Sequence, residues 1–103
     1  MIWLNLLIYY ALPGYLKPDI HHVKTDTSEF FAVAIDYKNL GQAAISAKAL
    51  VDQHGVNMIE LCGGLANADI VSQVKAAVGP KVVVGQVMYG PEMRRPLVDL
   101  LNL

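Results

Sequence analysis

The sequence holds one cysteine, Cys62, in 103 residues. An internal disulfide is therefore excluded, and a reducing, cytoplasmic setting is expected. Charge is also scarce. Charged residues make up 17% of the chain and the net charge is −1, where about 25% charged is usual. The only adjacent basic pair is Arg94–Arg95, too little for a stripe that tracks phosphates, so nucleic acid is not an expected partner. Long apolar runs are missing as well. MIWLNLLIYYA is apolar over about ten residues, roughly half of what spans a bilayer, and no membrane association is expected. It lacks a basic leader and a small-residue cleavage pattern, so it reads as a buried strand rather than a signal peptide. No metal-ligand spacing, phosphate loop or dinucleotide fingerprint occurs, and neither a metal nor another cofactor is expected.

What the chain does have is apolar surface. The apolar fraction is 54%, high for a small domain, which has proportionally much surface to cover. Such a surplus points to a homo-oligomer, with an unusually Ala- and Val-rich core as the alternative.

Residues 1–103 read as one domain. Ile2 to Ala11 is apolar on both alternating faces, with Asn5 as its one clearly polar member; such a strand belongs inside a covered sheet. Leu12-Pro13-Gly14 ends it, and a polar segment to Ser28 follows, with room for a short helical turn. EFFAVAID (Glu29 to Asp36) is the second strand. Leu40, Ala43, Ala44, Ala47, Leu50 and Val51 recur at spacings of three and four, which predicts an amphipathic helix closed by Gly55. Val56 to Cys62 is a third strand. Asn67 or Asp69 caps a second helix with Ile70, Val71, Val74, Ala77 and Val78 inward, ended by Gly79-Pro80. Lys81 to Tyr89 is a fourth strand, and PLVDLLNL a short helix opened by Pro96. Apolar strands alternating with amphipathic helices predict an α/β domain with a mostly parallel four-stranded sheet and crossover helices. Residues 12–28 fit a crossover or a long loop to an antiparallel pair; the parallel form is favoured.

One short stretch concentrates chemistry. IELCGG (Ile59 to Gly64) sets Glu60 and Cys62 two residues apart, on one face of a strand and at its carboxyl end. That edge is where open α/β sheets bind ligands. Gly63 and Gly64 permit a sharp turn and close approach, and the next helix offers free amides to an anion. A small anionic molecule is thus the expected partner, with Gly63, Gly64, Asn67 and Arg94 as candidate binding residues. Glu60, Cys62 and His22 are candidate catalytic residues: a buried Glu titrates nearer neutrality, a Cys at a helix start is a nucleophile, and a His titrates near pH 7. The bland readings are a structural carboxylate, a small buried thiol and a surface imidazole. Two function classes follow: anion binding with acid/base chemistry of isomerase or lyase type, or a non-catalytic ligand-binding or structural oligomeric module.

The run HGVNMIELCGGLANADIVSQVKAAVGPKVVVGQV, with Pro13 and Gly14 after the first strand, resembles a group of small bacterial proteins of unknown function that carry an IELCGG signature. Leu65-Ala66 departs from the Phe-Gly usual there. The resemblance implies a fold and assigns no catalytic residue. A looser likeness, through Gly55, Val56, Ile59 and Glu60, is to βα units of TIM-barrel aldolases and isomerases, in which a Glu ends a strand.

Overall fold

In a computed structural model, residues 3–12, 14, 18–62, 65 and 67–101 are described. Among them, five strands and three helices occur: β1 (Leu4–Leu12), β2 (Asp19–Lys24), β3 (Ser28–Asp36), α1 (Gln42–His54), β4 (Met58–Leu61), α2 (Ala68–Val78), β5 (Val83–Gln86) and α3 (Pro91–Leu101). The strands form one sheet in the order β2-β3-β1-β4-β5. β1 pairs parallel to β3 and β4, β4 pairs parallel to β5, and β2 lies antiparallel to β3. The domain is thus α/β with a mostly parallel sheet, and it has one strand more than the four expected.

The added strand is DIHHVK, all six residues exposed. A strand on the sheet edge needs no apolar face, so it carries no apolar alternation that pattern reading would detect. It also settles the first connection. The chain leaves β1, passes the end of β3, runs back as β2 and reverses at Thr25–Thr27 into β3. Thr25 Oγ1 accepts from Ser28 N at 3.0 Å, and Ser28 O accepts from Thr25 N at 2.8 Å, which holds that reversal.

The two helical crossovers both step the same way across the sheet, from β3 over β1 to β4 and from β4 to β5. Right-handed connections running in one direction must lie on one face. α1 and α2 accordingly pack together over the face that carries Leu7, Tyr9, Phe31, Val33, Ile59 and Leu61, and they contribute Ala43, Ala47, Leu50, Ile70 and Val74 to the same core. Each large apolar side chain buried there contributes about 1.5–3 kcal/mol. Among the described residues Tyr9 is the largest wholly buried side chain. Its hydroxyl donates to Ser46 Oγ at 2.5 Å, and Ser46 in turn donates to Gln42 O at 2.8 Å.

The helix ends follow local rules. Gly55 closes α1 in the left-handed region, φ 72° and ψ 32°, and its N–H donates to Val51 O at 2.9 Å; a residue with a Cβ is strained there. Asn67, extended, caps α2 through Oδ1, which accepts from Ile70 N at 3.0 Å. α3 begins at Pro91, not at Pro96. Proline at the first helical position uses an amide that would be unbonded anyway, and the helix then runs through Pro96.

The opposite face of the sheet differs from expectation. A strand apolar on both sides was expected to be covered on both. Leu4, Leu6, Ile8 and Tyr10 of β1 are only half-buried, as are Phe30 of β3 and Met58 of β4. The one connection whose direction would place a helix there, β1 to β3, supplies β2 instead.

Candidate functional site

The carboxyl edge of the sheet is built by β1 and β4. The onward connection of β1 leads toward β3 and that of β4 toward β5, so two adjacent strands send their chains in opposite directions. Strand order that diverges in this way marks the usual ligand position in open α/β sheets. Cys62 stands at that point: its N–H donates to Tyr9 O at 2.9 Å, the last rung between β4 and β1 among the described residues. Leu65 N donates to Cys62 O at 3.2 Å as the chain turns toward α2. Gly63 and Gly64 lie outside the described residues.

Glu60 and Cys62 share a face, as alternation requires, and it is the side away from α1 and α2, because Ile59 and Leu61 occupy the core. In the strand register Glu60 has Ile8 on one side and Gly85 on the other. A methyl group placed on Gly85 would meet nothing within 4 Å, so the Gly85 side of the carboxylate is open. Glu60 is half-buried, and no ion pair joins it to any described residue.

The thiol is not activated. Burial pushes the Cys62 pKa up, and the Glu60 charge pushes it further the same way. This is opposite to the shift that makes a cysteine a nucleophile. Asn67 sits beside the edge with its side-chain oxygen engaged as the α2 cap. Arg94 is exposed on α3 and makes no ion pair with a described residue, unlike Arg95, which reaches Asp99 at 3.3 Å.

His22 lies elsewhere. It pairs with Phe31 in the β2–β3 register and therefore projects to the helix side, toward the amino ends of the parallel strands. His21, not His22, shares the row of Glu60, but Ala32 and Ile8 intervene. Three strand spacings, about 14 Å, separate the two. Glu60 and Cys62 are brought together; His22 does not join them.

At the amino edge His22 belongs to a polar cluster that reading the sequence did not assemble. Its ring stacks on Phe31 at 4.3 Å and 5°, with His54 tilted against both. His22 Nε2 donates to Glu29 Oε2 at 2.6 Å. Asn5 Nδ2 donates to Glu29 Oε1 at 2.9 Å and to His54 O at 2.7 Å. Asn57 extends the network, with Oδ1 accepting from Asn5 N and Nδ2 donating to Trp3 O, both at 3.0 Å. Burial pushes the Glu29 carboxyl up, but the His22 hydrogen bond and charge, Lys24 and the Asn5 amide outweigh it, so its pKa lies below the ordinary value. The signal was visible as Asn5, the one polar residue of an apolar strand, and Glu29 at the head of another. Buried polar side chains in such places require partners. Among the described residues no three His, Cys, Asp or Glu side chains come together as a metal site, and no helix is long and apolar enough to cross a membrane.

Fold and site together define a small α/β protein with a mostly parallel sheet, helix-covered on one face, and an edge where the connections of two neighbouring strands diverge. Residues 7–102 match the profile of a family of unknown function, DUF6506, and the chain belongs to that family. No curated protein and no solved structure matches it.

Proposed function

We infer that the protein is a binding module for a small anionic metabolite, seated between the carboxyl ends of β1 and β4. The observation that carries this reading is the divergence of the β1 and β4 connections above Cys62. The first turn of α2 opens toward the same edge, and its amides and dipole favour a negative group. Binding is preferred to thiol catalysis because burial and Glu60 both hold the Cys62 sulfur in its protonated form.

Acid/base chemistry of isomerase or lyase type is the second reading. It is favoured by Glu60, whose half-buried carboxylate faces the side of the sheet away from α1 and α2, two residues before Cys62, and has no ionic partner among the described residues. In that case Glu60 is the base and the ligand is a carbonyl or carboxylate compound that loses a proton.

Thermal denaturation with a panel of small carboxylates and phosphate esters tests both. A ligand present at 100 times its Kd adds about 2.7 kcal/mol of stability, equivalent to a Tm rise of about 10 °C or more in a domain of this size. Cys62→Phe, which places a bulky ring at the proposed site, is expected to abolish the rise. Glu60→Gln is expected to preserve binding and to abolish turnover of any compound that proves to be a substrate. A flat response across the panel refutes the binding reading.

A further inference from the structure

Two of the apolar surfaces left uncovered among the described residues complement each other. One is the sheet face away from α1 and α2, where Leu6, Ile8, Tyr10, Phe30 and Met58 are half-buried around Glu60. Val83, at the end of the row through Phe30, Leu6 and Met58, is 64% exposed. A mostly parallel sheet of continuous apolar strands is stable when both faces are covered, and the direction of the crossovers leaves this one bare. The other surface is α3. It makes only marginal contact with the rest of the fold, and the molecule is 43 Å long against 29 and 25 Å in the other directions.

The side chains of α3 are arranged for docking. Met93, Leu97 and Leu100 fall on one stripe at helical spacing, while Glu92, Arg95 and Asp99 lie opposite. Leu100 is 80% exposed and Met93 48% exposed, although a helix with one apolar stripe is stabilised mainly by burying it. Arg94 borders the stripe. At about 1.5 Å per residue, the 11 residues of α3 reach about 16 Å, enough to cover the stretch from Leu4 to Ile8 on β1, about 13 Å.

Charge selects the occupant. By register the sheet face carries three carboxylates, and two are engaged: Asp19 reaches His21 at 3.5 Å, and Asp36 Oδ1, at the strand end, accepts from Lys38 N at 3.0 Å. Glu60, between Ile8 and Gly85, makes no ion pair with a described residue, and neither does Arg94 at the margin of the α3 stripe. A carboxylate amid apolar neighbours is disfavoured on covering unless a cation comes with the cover. We propose that two copies of this chain form a twofold dimer by exchanging α3, each helix laying Met93, Leu97 and Leu100 on the open sheet face of the other copy and setting Arg94 beside its Glu60. This goes beyond the ligand reading and does not depend on it.

Sedimentation and light scattering across a concentration series test the exchange. The wild type is expected at twice the 11.2 kDa chain mass, dissociating on dilution. Leu100→Glu is expected to raise the dimer Kd at least tenfold while the circular dichroism of the separated chain keeps its helical content. Arg94→Glu and Glu60→Arg each weaken association several-fold, and the double variant recovers most of it. A wild type that remains monomeric near 1 mM overturns the proposal, since α3 then stays free or folds onto its own sheet. A Leu100→Glu dimer within twofold of wild type overturns it in favour of another surface. A double variant no better than the single ones removes the pairing that chose a second copy.

Discussion

Tyr9 permits a prediction whose size follows from its burial. Its side chain is wholly buried in the core, and its hydroxyl is bonded to Ser46. Burial drives its pKa upward, and the Ser46 bond offsets only part of the shift. In the unfolded chain a tyrosine ionises near pH 10. The folded state therefore holds a proton that the unfolded state releases, and stability must fall as pH rises through about 10. The loss is about 1.4 kcal/mol per pH unit, up to the folded pKa. Tyr9→Phe removes both the hydrogen bond and the proton. At pH 7 it costs about 1 kcal/mol, the usual net value of a neutral hydrogen bond, because Ser46 keeps its bond to Gln42. Above pH 10 the variant escapes the alkaline loss, so the two stability curves are expected to cross near pH ~10.7, where the loss reaches about 1 kcal/mol. Urea titrations followed by circular dichroism at one protein concentration, at half-unit steps from pH 7 to 11.5, measure the difference directly. Every other ionisable group is common to the two proteins, and its contribution cancels to first order. Curves that stay parallel to pH 11.5 would refute the claim that the Tyr9 hydroxyl is sealed from solvent.

Glu29 predicts the acid limb. Its folded pKa lies below the ordinary value, so its contribution is present above about pH 4.5 and is lost as pH falls through the folded pKa; melting temperatures from pH 6 to 3 should fall more steeply for wild type than for Glu29→Gln, and equal slopes would remove the His22–Glu29 pair from the account. Gly55→Ala should cost about 1–2 kcal/mol, since φ is 72° and the added methyl meets nothing; a Tm unchanged to within 2 °C would contradict the left-handed cap. Alkylation of Cys62 by iodoacetamide should be slower at pH 7 than in the urea-unfolded chain and should still be rising beyond pH 9, because its pKa is raised; a rate that levels off below pH 8 would mark an activated thiol.

The helical crossovers were legible because their signals are local and redundant. Six apolar positions spaced by three and four, then Gly55, describe α1 without reference to the rest of the chain. Asn67 and Gly79 bracket α2 in the same way. β2 was illegible for a related reason: on the sheet edge, Asp19 to Lys24 needs no apolar face, and its only requirement is the free backbone of β3. The start of α3 was placed five residues late because Pro96 resembles a first-turn proline, whereas Pro91 occupies that position. At the site, alternation set Glu60 and Cys62 on one face correctly. It could not report which face the helices would cover, nor that His22 would turn toward Glu29, since both depend on strand order.

Strand order also divides the labour between the two edges of the sheet. At the amino edge Asn5, Glu29, His22, His54 and Asn57 tie β1, β2, β3 and the approach to β4 into one network. Asn5 Oδ1, buried, is the one acceptor there without a partner among the described residues. Nearly every other polar atom of that network serves a neighbouring strand or helix end, and such bonds fix register. At the carboxyl edge Cys62 N bonds Tyr9 O and Val87 N bonds Leu61 O, Glu60 has no ionic partner among the described residues, and the connections of β1 and β4 lead in opposite directions. Polar groups at the first edge are used by the fold. Those at the second are not tied into the fold among the described residues, and for that reason the proposed ligand and partner are both sought there, although Glu29 and His22 are the closer acid–imidazole pair.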